Sequence, residues 1–384
     1  MRPIHMVDTR SQYHKIKAQV DTAVAEVMES SAFINGKAVQ EFSENLAEYI
    51  GSKHCIPCAN GTDALQIAMM ALDLRPGDEV ITPSFTYIAT TEVIALLRLT
   101  PVFAEVDAKT FCIDPASVEK LITPKTKAIV PVHLYGQAAP MEEIMAIAKK
   151  HDLYVIEDNA QAIGCDYIFS GNKKKKTGTI GHIGTTSFYP SKNLGAFGDG
   201  GAIFTDDDEL GNKMKMITNH GQSKRYYHDI VGCNSRLDTL QAAILNIKLK
   251  YLDEYIAARR KVADYYDAAF ANEKKITTAF RAPYSYHVFH QYTLLVEGGE
   301  NPNDYRNGLN EFLAKHDIPS MLYYPVPGHK QKMFEHFNVS SQSMPVTDWL
   351  TERVISLPMH TELDEEQLSF ITTKVLEYFK NKIR

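Results

Sequence analysis

Residues 128–158 read AIVPVHLYGQAAPMEEIMAIAKKHDLYVIED, and this stretch decides the fold. Ala128–Val132 and Tyr154–Asp158 are short apolar runs, while Met141–His151 opens just after Pro140 with the apolar spacing of a helix. Strand, helix and strand in that order make a right-handed crossover that sets the two strands parallel in one sheet. The pattern repeats on both sides. Strands are predicted at Glu79–Thr82, Pro101–Val106, Thr185–Tyr189 and Gly200–Thr205, with helices at Thr62–Leu72, Thr90–Leu97 and Pro115–Ile122. Several of these strands are apolar along nearly their whole length, as strands covered on both faces must be. The expectation is an α/β fold with a mainly parallel sheet clothed by helices.

Further out the signals change. Ile16, Val20, Val24 and Val27 mark an N-terminal amphipathic helix, and Val39, Phe42 and Leu46 mark another. A long helical stretch runs from Leu237 to about Ala269. After it come a strand at Gln291–Glu297, a helix at Asn303–His316, a strand at Ile318–Tyr323 and a terminal helix at Glu365–Phe379. This predicts a large α/β domain over residues 1–250 and a smaller C-terminal α+β domain over 251–384. The Lys173–Lys176 charge run reads as a solvated loop between strands.

With 384 residues the chain is long enough for a large core, and 44% hydrophobic with 23% charged residues argues against a disordered or fibrous protein. The formal charge of −6 offers no overall positive field for nucleic acid, so an anionic ligand must be held by locally placed donors. The N-terminus turns polar within a few residues, unlike a secretory signal, and no apolar run is long enough to span a membrane. A cytoplasmic protein is expected. Cys55, Cys58, Cys112, Cys165 and Cys233 are scattered, and the C-x-x-C at 55–58 lacks a second ligand pair, so reduced structural thiols are expected and no metal site.

Ligands of open α/β sheets bind beyond the carboxyl ends of the strands, and three such places stand out. Asn60-Gly61-Thr62-Asp63 opens a helix whose first amides and Thr62 hydroxyl can receive a phosphate, or it is a plain helix cap. Asp158 ends a strand, on the opposite face from Glu157, and can hold a proton on a heteroaromatic nitrogen or cap the following turn. The third place is SFYPSKNLGAFGDGG, residues 187–201. There Lys192 sits among aromatic, apolar and glycine residues; partial burial would lower its pKa and free a nucleophilic amine, the environment a Schiff-base lysine requires. A snorkelling surface lysine is the alternative. Together with Ser187 as a phosphate ligand and Tyr87 as an aromatic lid, or ordinary core filler, the three places describe a pyridoxal phosphate site.

From Phe33-Ile34-Asn35-Gly36 through NGTDAL, PGDEVITPSFTYIAT, HLYGQ, IEDNAQAIG, SFYPSKNLGAFGDGG and GCNSRLDTLQAA to YYPVP, the sequence resembles the DegT/StrS-type nucleotide-sugar aminotransferases nearly end to end. The resemblance implies fold type I: a mainly parallel seven-stranded sheet, a small C-terminal domain, and a homodimer with active sites at its interface. It implies pyridoxal phosphate as cofactor, with Lys192 as the Schiff-base lysine that shuttles protons and Asp158 as the partner of the ring nitrogen. By the same resemblance Gln161 is expected near the ring hydroxyl, Gly61, Thr62 and Ser187 on the phosphate, Tyr87 stacked on the ring, and Asn234 reaching the phosphate from the other subunit. Glutamate is the implied donor and a keto-sugar nucleotide the acceptor, for surface polysaccharide synthesis.

Members with histidine in place of the lysine dehydrate instead, and this chain has Lys192. Residues 222–228 and 234–238 resemble most the branch acting on 3-keto sugars, including UDP-2-acetamido-3-keto-glucuronate. Arg236 can pair with a uronate carboxylate or serve as an interface arginine. Tyr323 and Tyr324 match a substrate-binding pair, with Tyr323 where the branch often has histidine and Gly328 where leucine is usual.

Overall fold

The computed structural model describes residues 1–298, 301–337 and 342–381; residues 382–384 of the C-terminal domain expected from sequence lie outside the described residues. Nine strands precede residue 206: β1 His54–Cys58, β2 Glu79–Pro83, β3 Thr100–Ala104, β4 Thr126–Ile129, β5 Tyr154–Asp158, β6 Asp166–Ile168, β7 Lys174–Lys176, β8 Ile183–Ser187 and β9 Gly201–Thr205. Seven form one sheet in the order β1-β9-β8-β5-β4-β2-β3. From β3 to β8 the neighbours are parallel, and β9 pairs antiparallel with both β8 and β1. The strand β5 and the helix Met141–His151 have the bounds their patterns predict, while the other predicted elements of this region shift by one to three residues.

Two hydrophobic clusters cover the faces of this sheet. One combines Ile81, Ile129, Val155 and Phe204 with Phe42 and Leu46 of the helix Lys37–Ile50. The other sets Val80, Ala128, Ile156 and Ile203 against Leu65, Ala68 and Met69 of the helix Gly61–Ala71. Consecutive residues of β5 thus enter opposite cores, as a side-chain period of two requires.

The hairpin strands β10 Gln222–Lys224 and β11 Tyr227–His228 follow, then a three-stranded antiparallel sheet of β12 Ile276–Thr277, β13 Tyr292–Val296 and β14 Val354–Leu357. Leu294 and Ile355 of this small sheet pack with Val262, Tyr266 and Phe270 and with Ile371 and Val375 of the helix Glu365–Asn381 in a separate core.

Three sequence expectations are corrected, and one unpredicted strand is added. The helical stretch 237–269 is two helices, Thr239–Leu249 and Leu252–Phe270, because the chain leaves α geometry at Tyr251 (φ −105°, ψ 1°). Residues 318–323 form no strand: Pro319 has no amide to give, and Met321 makes only an isolated bridge to Ser356. The small sheet takes β14 instead. Lys174–Lys176 is a strand rather than a loop, paired with β6 and fixed by Lys176 against Asp166 at 2.9 Å. Finally, β1 completes the seven-stranded sheet at its edge.

Candidate active site

A cavity of about 640 Å³ opens beyond the carboxyl ends of β2, β5 and β8, a size suited to a cofactor and a substrate together. Its lining includes Asn60, Gly61, Thr62, Tyr87, Asp158, Gln161, Ser187, Lys192, Tyr323 and Tyr324. The structure therefore brings nine of the eleven sequence-derived site residues to one place.

One end is a cradle of small groups. Gly61 begins an eleven-residue helix, and the Asn60 side chain caps it by accepting from the Asp63 amide at 2.8 Å. Ser187 ends β8 directly against this turn: a Cβ added to Gly61 would lie 2.7 Å from Ser187 Cβ. A Cβ on Gly201, at the start of β9, would lie 2.5 Å from the Asn60 carbonyl. Glycine at both positions lets the helix N-terminus, with its partial positive charge, sit flush against the sheet.

In the same cavity wall Asp158 is buried, with Oδ2 accepting from Thr90 Oγ1 at 2.7 Å and Oδ1 from the Ala160 amide at 3.1 Å. Glu157, on the other face of β5, is withdrawn into a buried network: it accepts from His133 Nε2 at 2.8 Å and from the amides of Gly178, Ile180 and Gly181. Only Asp158 of this pair reaches the cavity.

Lys192 lies in the turn after β8, where its amide donates to Tyr189 O at 2.8 Å and the Ala196 amide donates to Phe188 O at 2.7 Å. Burial lowers its amine to about 8, against the opposing pull of the Asp158 carboxylate. Gln161 accepts from the Tyr135 amide at 2.8 Å and donates to the Tyr324 hydroxyl at 3.1 Å. The Tyr87 ring is 56% exposed at the cavity rim, its centroid 6.2 Å from that of Tyr324.

Asn234 and Arg236 do not line this chain's cavity. Arg236 instead donates to Asn234 Oδ1 at 2.5 Å and Asn219 Oδ1 at 2.8 Å. Sequence reasoning missed Thr90, His290 and Gln291. Thr90 falls in a predicted helix, and its partner Asp158 is 68 residues further along the chain, so no local signal marks it. His290 is buried in the cavity wall with Nδ1 unpartnered, and burial together with the charges of Lys192 and Arg259 holds its pKa well below the ordinary imidazole value. No cluster of three or more His, Cys, Asp or Glu among the described residues is placed to hold a metal ion.

A half-buried lysine and a buried strand-end carboxylate lining one cavity with a helix N-terminus, on a seven-stranded sheet of this order, define an α/β aminotransferase of fold type I. More particularly, the chain belongs to the DegT/DnrJ/EryC1/StrS aminotransferase family, whose model matches residues 14–376. It is 44% identical over 380 residues to a "Pleiotropic regulatory protein" of Geobacillus stearothermophilus, covering 98% of this chain and 99% of that one. It is equally 44% identical over 368 residues to the UDP-2-acetamido-2-deoxy-3-oxo-D-glucuronate aminotransferase of Pseudomonas aeruginosa, covering 96% and 98%. Among solved structures it resembles NtdA from Bacillus subtilis with bound cofactor PMP, at 30% identity and a TM-score of 0.87, covering 95% of this chain and 82% of that chain.

Proposed function

We propose that the protein is a pyridoxal phosphate-dependent aminotransferase that carries the amino group of glutamate to a nucleotide-linked keto sugar, specifically a UDP-linked 3-keto-N-acetylhexuronate. The observation that carries this reading is that Lys192 and Asp158 line one cavity with the Gly61–Thr62 helix start. The donor set fits the cofactor: a cradle that any Cβ would fill, a carboxylate fixed by two donors, and an amine held near neutrality. When bound, pyridoxal phosphate would supply the aldehyde that takes up and gives back the amino group and the protonated ring that serves as the electron sink for the accompanying proton transfers.

Each residue then has a task. Gly61, Thr62 and Ser187 bind phosphate oxygens at the helix N-terminus. Asp158 holds a proton on the ring nitrogen, and Thr90 keeps its carboxylate oriented. Tyr87 covers the ring face. Lys192, brought down to about 8 by burial, takes and returns protons at Nζ near neutral pH. Gln161 lies beside the ring hydroxyl, and Tyr323 and Tyr324 form the wall that meets the substrate. Asn234 and Arg236 complete the site of a second copy in a homodimer, with Arg236 facing a uronate carboxylate. The division of the chain into residues 1–250 and 251–384, a cytoplasmic location and a place in surface polysaccharide synthesis belong to the same reading.

The sugar assignment draws on the Pseudomonas aeruginosa relative. A regulatory sensor is the other reading raised by a relative's name, and a sensor has no need of an amine and a carboxylate kept in one cavity. The test loads the protein with the pyridoxamine form and offers UDP- and dTDP-linked 3-keto and 4-keto sugars, following return of the pyridoxal absorbance. Return with UDP-linked 3-keto-N-acetylglucuronate, and a lower kcat/KM for the analogue lacking the carboxylate, is expected. Return with 4-keto sugars alone overturns the substrate, and no return with any sugar or with 2-oxoglutarate overturns the activity.

A further inference from the structure

Tyr135 lies outside the cavity lining, yet three segments of that lining are bonded to it. Its amide donates to Gln161 Oε1 at 2.8 Å, its carbonyl accepts from the Gln291 amide at 3.3 Å, and its hydroxyl donates to the Tyr323 carbonyl. The ring is 3% exposed and packs edge-on against Phe111. The residue holds left-handed backbone angles (φ 57°, ψ 6°) in the turn Leu134–Gly136. A side-chain-bearing residue keeps such a conformation when its surroundings over-determine it, often beside a functional site. The Val288 amide donates to Gly136 O at 2.9 Å, tying this turn to the chain entering β13.

These bonds also fix a direction. A backbone amide can only donate, so the Gln161 atom facing Tyr135 is the oxygen and the NH₂ must face Tyr324. The Tyr324 oxygen accepts from Gln161 at 3.1 Å, which turns its own O–H away from Gln161 and toward the cavity that the ring lines. Burial pushes the Tyr324 phenol up, so it stays protonated in the working range.

We propose that Tyr135 is a positioning residue that sets the substrate wall: through Gln161 it makes Tyr324 a donor toward the acceptor sugar, and through its hydroxyl it holds the Tyr323 backbone in register. The proposal rests on the nucleotide-sugar reading above for its ligand but not for its mechanics. Lys192, Asp158 and the phosphate cradle make no bond to Tyr135, so a change at its hydroxyl is felt by the bulky acceptor and not by the cofactor.

Tyr135→Phe keeps the ring and both backbone bonds and removes the hydroxyl, with its bonds to the Tyr323 carbonyl and the Thr293 side chain. In the loaded enzyme, calorimetric titration with UDP-N-acetylglucosamine, which has no ketone to react, should show affinity about tenfold weaker than wild type, as for a lost hydrogen bond. Cofactor affinity and the glutamate half-reaction should stay within about twofold. Hydrogen exchange at residues 321–324 should quicken severalfold while that at 183–187 holds. Gln161→Glu, which would accept from both Tyr135 and Tyr324 and so turn the Tyr324 proton inward, should weaken the UDP-sugar more than Tyr135→Phe does. Unchanged exchange at 321–324 in Tyr135→Phe, or an equal loss of cofactor and sugar affinity, overturns the proposal. If wild type ignores UDP-N-acetylglucosamine, the substrate reading fails and the exchange result still decides the role of Tyr135.

Discussion

Thr90 Oγ1 donates to Asp158 Oδ2 at 2.7 Å, although Thr90 belongs to the helix Ala89–Leu96 and Asp158 to the end of β5. The two are buried and meet because Thr90 lies in the first turn of the helix that follows β2, and only β4 separates β2 from β5 in the sheet. Thr90→Val preserves shape and removes the donor. A hydrogen bond to a charged group contributes about 1.5–3 kcal/mol, so cofactor affinity should fall by about tenfold or more. Absorbance titration of the cofactor-free protein checks this, and unchanged affinity would mean that Asp158 is held by other means.

Gly61→Ala places a methyl 2.7 Å from Ser187 Cβ. Helix and strand must part, at a cost of about 1–3 kcal/mol. The variant should lose cofactor affinity more than it loses stability, because the displaced amides are the ones that face the phosphate. Urea midpoints measured without cofactor, set beside cofactor titrations, separate the two effects.

Glu157 marks the opposite case, a carboxylate that serves the fold. Burial alone would raise its pKa, but His133 and the amides of Gly181 and Gly178 outweigh burial and hold the carboxyl below its ordinary range. A carboxyl depressed in the folded state stabilises fully above its unfolded pKa of about 4.3, and the contribution is lost as pH falls below that value. Glu157→Gln should cost on the order of 3 kcal/mol at pH 7, since it strands donors that a carboxylate satisfied. The difference from wild type should hold down to about pH 4 and shrink only on further acidification, as read by urea unfolding.

The ladder of predicted strands and helices between residues 79 and 205 was legible because both faces of the sheet are buried, which writes continuous apolar runs into the sequence. Edges were harder. Strand β1 contains His54 and Pro57, and a proline without an amide is tolerated there because β1 has a partner on one side only. At the site, Asp158 and Lys192 could be singled out from strand ends and local composition. Thr90, His290 and the bonds of Tyr135 to Gln291 and Tyr323 could not, because each depends on segments more than 60 residues apart meeting in space. Lys174–Lys176 misled for a related reason: a charge run says solvent, while pairing with β6 needs only backbone.

Lys248 gives a pH test of burial. It is 1% exposed on the helix Thr239–Leu249, donates to the Gly195 carbonyl in the loop that follows Lys192, and burial, aided by the Arg259 charge, lowers its amine to about 7. In the unfolded chain the amine binds its proton up to about pH 10.4. Between these values the unfolded state holds more protons, so this group makes stability rise with pH from about 7 to about 10. Lys248→Met should remove that rise, which shows as a wild-type minus variant difference that grows by several kcal/mol over the interval and is flat on either side.

The central claim is that the Lys192 amine is the group that carries the cofactor. Reducing the loaded wild-type protein with borohydride and mapping the adduct by peptide mass tests it directly. The account predicts the pyridoxyl mass on Lys192 and none in a Lys192→Ala variant that stays folded; an adduct on Lys248 or any other lysine, or no adduct at all in a protein that turns over, would contradict it.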